Sequence, residues 1–149
     1  MTEPTLDLLI VDDDDLTAEG LQRSLSKIGG IFRVIPAEDG LEALEILRGR
    51  SKKRIERPFL VLLDLNMPRM NGFEFLGELR ADPRFRGTVV FVLSTSDAEL
   101  DISRAYEQCI AGYMVKTIVG SQSSQIARML IDYAETIHLQ NKDYQMVSL

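Results

Sequence analysis

Four consecutive carboxylates at Asp12 to Asp15, a further one at Asp64, a hydroxyl run at Ser94-Thr95-Ser96 and a lysine at Lys116 are the residues of this chain best placed to do chemistry. Each group ends a short apolar run: Leu8–Val11, Phe59–Leu63, Val89–Leu93 and Tyr113–Val115. Carboxylates gathered at one point repel, and the cluster must take up a proton or a cation. Oxygen donors without His or Cys suit Mg²⁺, an ion that keeps several waters and is often shared with a substrate phosphate. A lysine and a hydroxyl opposite the metal would stabilise an incoming anionic oxygen. Together these groups describe phosphoryl transfer, with Asp64 as the carboxylate nucleophile that attacks phosphorus in line and becomes an aspartyl phosphate.

Each residue also has a plainer use. Asp14 and Asp15 suit the start of a helix, where acidic side chains bond free N–H groups and complement the dipole. That leaves Asp12 and Asp13 for the site. Asp64 could simply open a turn, but a carboxylate that closes the run Phe59-Leu60-Val61-Leu62-Leu63 is costly unless it serves something. Ser94 and Thr95 could satisfy backbone groups ahead of a helix. Lys116 takes its weight only from the conjunction.

For these residues to meet, the chain must form a parallel sheet. Val-, Ile- and Leu-rich runs, with a fifth at Phe32–Ile35, alternate with segments of helical period, the pattern of βα units. The predicted helices carry Leu16, Leu21, Leu25 and Ile28; then Leu41, Leu44 and Leu47; then Phe73, Leu76 and Leu79. The fourth is expected over 99–108 and the last over 123–138, with Ile126, Leu130, Ala134 and Ile137 in one stripe. Asp39 with Glu42, Asn71 with Glu74 and Ser96 with Glu99 have capping-box spacing. Gly29-Gly30 and Asp82-Pro83 are stop signals. The expected class is α/β, a flavodoxin-like (βα)5 doubly wound parallel sheet of order 2-1-3-4-5. In that order strands one, three, four and five are neighbours, and their carboxyl ends share one crevice.

The 149 residues suit a single domain over 1–149, with a core from about 6 to 139 and a short tail over 140–149. Against 17 Lys plus Arg stand 23 Asp plus Glu, and the formal charge of −6 argues against nucleic acid as a partner. No run reaches the roughly 18 apolar residues of a membrane span, and no basic segment precedes the first apolar run, so a cytoplasmic protein without membrane contact is expected. Single residues Cys109 and His138 leave no room for a disulfide within the chain or a His-rich metal motif. The basic segment from Arg48 to Arg57 reads as a solvated, mobile loop.

The stretch Val61-Leu62-Leu63-Asp64-Leu65-Asn66-Met67-Pro68-Arg69-Met70-Asn71-Gly72 resembles the phosphorylation-site signature of response-regulator receiver domains of two-component signalling. The pair Asp12-Asp13, the hydroxyl of Ser94 and the lysine in Gly112-Tyr113-Met114-Val115-Lys116 fall in that family's order and spacing. The resemblance implies Asp64 as phosphoacceptor, with Mg²⁺ held by Asp13, Asp64 and the Asn66 carbonyl and by Asp12 through water. It implies Lys116 as the contact to the phosphoryl oxygen and Ser94 with Tyr113 as the switch pair. It further implies a sensor histidine kinase as donor, a histidine phosphotransfer protein as a possible recipient, and no reaction beyond the chain's own phosphorylation and dephosphorylation. The insertion before the third strand and the Ser94-Thr95-Ser96-Asp97 run are similar to the stand-alone regulators that accompany bacterial phytochromes. With Met129, Leu130, Tyr133 and Ile137 on the last helix, that likeness implies a homodimer through the helix.

Two positions depart from the family. Thr117 follows Lys116 where most receivers have Pro after a cis peptide, a bond that costs about 2.5–4 kcal/mol without Pro. Thr95 is larger than the usual residue beside the switch hydroxyl. Asn66 and Ser96 occupy positions that tune hydrolysis of the acyl phosphate in that family. Among rivals, a haloacid-dehalogenase-like phosphatase needs a second Asp where Asn66 stands. Flavin and nucleotide modules of this fold need a phosphate-cradling loop where Asp12 to Asp15 lie, and no P-loop motif is present. A degenerate receiver acting only through protein contacts is the remaining alternative.

Overall fold

The computed structural model describes residues 6–116 and 122–139. Its strands are β1 (Leu6–Val11), β2 (Phe32–Ala37), β3 (Phe59–Leu63), β4 (Val90–Ser94) and β5 (Gly112–Val115). Between and after them come α1 (Asp15–Ile28), α2 (Gly40–Leu47), α3 (Gly72–Ala81), α4 (Glu99–Glu107) and α5 (Gln122–Thr136). All strand pairs are parallel and the order is β2-β1-β3-β4-β5, as the sequence predicts.

Side chains alternate across a strand, so β1 and β3 each feed two cores. Leu9, Val11, Val61 and Leu63 pack with Leu44, Phe75, Leu76 and Leu79 of α2 and α3. Leu8, Ile10, Leu60 and Leu62 pack with Leu21 and Leu25 of α1 and Ile126 and Leu130 of α5. Burial on both faces explains why these runs are apolar throughout. Pro36 lies in β2, an edge strand, where its missing N–H breaks no ladder between two neighbours.

Several local expectations need correction. Leu16 is 72% exposed and Leu41 38%, because each sits in the first turn of its helix, beyond the sheet's reach. Ile137 lies past the end of α5 and is also exposed. The Ser96/Glu99 box does not form: α4 starts after Ala98 without a side-chain cap. Ser96 Oγ instead accepts from the Ala98 N–H and donates to Asp101. Asn71 and Glu74 do form the full box, whereas Asp39 caps α2 and Glu42 accepts from the Glu38 N–H. The basic loop is solvated as expected, with no buried residue over 48–57, and makes surface contacts of Lys53 with Glu42 and the Pro36 carbonyl and of Arg48 with Glu78. Thr117 and the tail over 140–149 lie outside the described residues.

Candidate functional site

The paired register of β1 and β3 sets the site. Val11 is level with Leu63, and the Asp64 N–H donates to the Val11 carbonyl at 2.8 Å. The two strands therefore release Asp12 and Asp64 side by side. Asp12 is 7% exposed and Asp64 6%, while Asp13 is exposed. One carboxylate oxygen from each of the three lies within 4.8 Å of the others. Asp14 turns away to cap α1, accepting from the Leu16 N–H, as the plainer reading of that residue requires.

Lys116, at the end of β5, reaches across the strand ends. Its Nζ is 2.8 Å from Asp12 Oδ2 and 3.8 Å from Asp64 Oδ2. The other Asp12 oxygen accepts from the Asp14 N–H at 2.9 Å. Asp64 Oδ1 accepts a long bond of 3.3 Å from the Asn66 N–H. Ser94 ends β4 fully buried, and its Oγ accepts from the Ser96 N–H at 3.2 Å. Tyr113, level with Val92 in β5, donates its hydroxyl to the Ser96 carbonyl at 2.8 Å. Thus the structure brings Asp12, Asp13, Asp64 and Lys116 into one cluster and joins Ser94 and Tyr113 to each other through Ser96.

Burial pushes the Asp64 carboxyl up to about 6. Asp12 and Asp13 push the same way, against the pull of Lys116 and the Asn66 N–H. For Lys116, burial acts downward, but the bond to Asp12 and the charges of Asp12, Asp64 and Asp14 raise it overall. Three carboxylates against one ammonium leave two negative charges, the complement of a divalent cation, and all the donors are hard oxygens. Behind Asp64 the loop is tightly closed: a methyl at Gly72 would lie 2.6 Å from the Asp64 carbonyl oxygen. No helix among the described residues is long and apolar enough to cross a membrane.

Residues 8–128 match the family model of the response regulator receiver domain. The chain belongs to this family. Among relatives of this receiver, the probable methanogenesis regulatory protein FilR2 of Methanothrix harundinacea is 32% identical over 74% of this chain and 72% of its own. The response regulator Rcp1 of Synechocystis sp. is 32% identical over 78% of this chain and 80% of its own. Its Mn²⁺-bound crystal structure superposes with a TM-score of 0.79 at 27% identity, covering 90% of this receiver and 98% of that chain. The phosphorylated cyanobacterial phytochrome response regulator RcpA gives 0.79 at 29% identity, covering 93% and 99%. The receiver's acidic cluster is chemically able to hold a divalent metal, and a metal-bound neighbour agrees with that capacity.

Two polar arrangements escape the reading of the sequence. Arg69, at a φ of 63°, pairs with buried Asp39 across 30 positions. Arg80 donates to the carbonyls of Arg86, Thr88, Gln108 and Cys109. The partners of Arg80 are main-chain atoms and leave no residue signal. For Arg69 the only hint is its place inside the Asp64–Gly72 signature.

Proposed function

We propose that the chain is a stand-alone response regulator that takes a phosphoryl group from a sensor histidine kinase onto Asp64 in a Mg²⁺-dependent reaction. The observation that carries this reading is Asp64 itself, a buried carboxylate flanked by Asp12 and Asp13 and faced by Lys116. Similarity to Rcp1 and RcpA over most of their lengths favours the stand-alone form.

In this reading an Asp64 oxygen attacks phosphorus in line as the P–N bond of a phosphohistidine breaks. The bonding pair leaves with the imidazole, which takes up a proton, and a mixed anhydride forms on Asp64. Mg²⁺ held by Asp13, Asp64 and the Asn66 carbonyl would offset charge on the transferring group. Both oxygens of Asp12 are already engaged by Lys116 and the Asp14 N–H, which supports an indirect role for Asp12 through water. Lys116 moves from Asp12 toward the new phosphoryl oxygen. Ser94, whose Oγ accepts from the Ser96 N–H, turns its own O–H to donate to a phosphoryl oxygen, and Tyr113, which donates to the Ser96 carbonyl, moves inward behind it. The chain turns over no separate substrate, and the whole of 1–149 acts as one receiver in the cytoplasm.

The finer partners follow from the same resemblance: a phytochrome-type kinase as donor, a histidine phosphotransfer protein as possible recipient and a homodimer along α5. Met129 and Tyr133 partly serve the core, Tyr133 lying edge-on to Phe91 at 5.0 Å, so only part of that face is left for a second copy. Sedimentation that finds only monomer at high concentration would overturn the dimer. The degenerate-receiver alternative is disfavoured by the complete carboxylate and lysine set.

Intact-protein mass spectrometry after incubation with acetyl phosphate tests the central reading. One added phosphoryl group is expected with Mg²⁺, none without it, and none in Asp64→Asn. Absence of any gain with acetyl phosphate and with phosphorylated kinases would overturn it.

A further inference from the structure

The phosphoacceptor loop over 64–71 is held at three points, two of which tie it to the turn between β2 and α2. The Gly72 N–H closes the loop on the Leu65 carbonyl at 3.0 Å. The Gly40 N–H donates to the Met70 carbonyl at 3.1 Å. Beside that bond, the Arg69 guanidinium pairs through Nε with Asp39 Oδ2. Asp39 is 1% exposed, and its other oxygen caps α2 by accepting from the Glu42 N–H at 2.9 Å. A carboxylate this buried needs a cationic partner, and among the described residues its ion pair is with Arg69. A second, exposed contact runs from Arg69 to Glu38 at 3.5 Å.

Arg69 has a left-handed backbone, which non-glycine residues seldom adopt and which persists only where the surroundings enforce it. The loop with that conformation is also the one that carries Asp64 and Asn66. Resting on the proposed reading of Asp64, we propose that Arg69 is a positioning residue: its tether to Asp39 holds the 64–71 loop in the shape that presents Asp64 and the Asn66 carbonyl to Mg²⁺. Mg²⁺ demands near-ideal octahedral geometry. A loop already fixed in place loses little freedom on binding the ion, whereas a loosened loop must be ordered at the expense of affinity.

Charge and tether make opposite predictions for Arg69→Gln. If Arg69 and Asp39 acted only through their charges, Arg69→Gln would make the site more negative and tighten Mg²⁺, while Asp39→Ser would weaken it. If the tether positions the loop, both substitutions weaken Mg²⁺. Serine at 39 keeps an N-cap side chain for α2, which separates capping from pairing.

The test is isothermal titration of the full metal-free chain with MgCl₂, with hydrogen exchange of the same metal-free proteins. Both single variants are expected to raise the Mg²⁺ dissociation constant by about threefold to tenfold, at or below the low end of the roughly 10- to 100-fold seen when a residue that orients a metal ligand is lost. Exchange at the Gly40 and Gly72 amides is expected to quicken in both. The double variant should be no weaker than the worse single one. Arg69→Lys, which keeps the charge but not the planar fork, should fall between wild type and Arg69→Gln, and it serves if a harsher variant fails to fold. Opposite signs for the two single variants, or dissociation constants within twofold of wild type, would overturn the tether while leaving Asp64 as acceptor. A wild-type chain that binds no Mg²⁺ would overturn the reading of the site and the tether together, whatever the exchange data show.

Discussion

Lys116 is hydrogen-bonded to Asp12 at 2.8 Å and stands 3.8 Å from Asp64, so the resting partner of the lysine is not the carboxylate that would accept phosphate. The acceptor is thereby left without a short cationic contact, and burial raises its proton affinity against the pull of Lys116. Lys116 nevertheless offsets the charge of the whole cluster.

Lys116→Met should therefore destabilise the metal-free protein at pH 7.5 by about 1–3 kcal/mol, the range for stranding a buried polar or charged group. Added Mg²⁺ should restore more stability to this variant than to wild type, because the cluster is then one charge more negative. Thermal melts with and without MgCl₂ check this. Equal Mg²⁺ increments in both proteins would mean that lysine and metal do not share the cluster.

The Asp64 carboxyl gives a pH signature. When folded it keeps its proton to about pH 6, against 3.8 for an ordinary aspartate. Over that window the folded chain binds more protons than the unfolded one, so this group's contribution to stability falls as pH rises from about 4 to 6 and stays low above it. The full difference corresponds to about 3 kcal/mol, and solvent screening should reduce it to about 2 kcal/mol. In metal-free urea titrations, Asp64→Asn should gain on wild type as pH rises through this window. An increment that does not change with pH would show an ordinary carboxyl. Mg²⁺, which binds the charged form, should bind more tightly as pH rises through about 6.

Arg80 should be a purely structural residue. Replacement by Met removes four bonds to main-chain carbonyls, some of them part-buried, at an expected cost of about 2–4 kcal/mol. Urea unfolding should record that loss while acetyl phosphate labels Asp64 at the wild-type rate. A slowed reaction would show that the far end of the sheet is coupled to the site.

What the sequence reveals follows what burial dictates. Leu8–Val11 and Phe59–Leu63 are apolar because both faces of their strands are covered, and this makes their order and the exit of Asp12 and Asp64 readable in advance. Helical period is less reliable near helix ends, where Leu16, Leu41 and Ile137 keep the spacing but pass beyond the sheet. Ser96 has the spacing of a cap, yet the chain stays extended to Ala98 and gives its hydroxyl to Asp101. The pair of Arg69 with Asp39 depends on a left-handed residue inside a loop and on two turns meeting from separate βα units. Neither condition leaves a periodic trace.

The bonds of Arg80 bear on how α4 can move. Its guanidinium grips the carbonyls of Gln108 and Cys109 just past the end of that helix, while the other end begins at Ala98 with no side-chain cap. One terminus is riveted to the frame and the other is held by Ser96, Asp101 and the backbone. The carboxyl end of α4 is therefore the firmly anchored one, and the end beside Ser94 and Ser96 depends on one hydroxyl, Ser96, for its side-chain bond to Asp101.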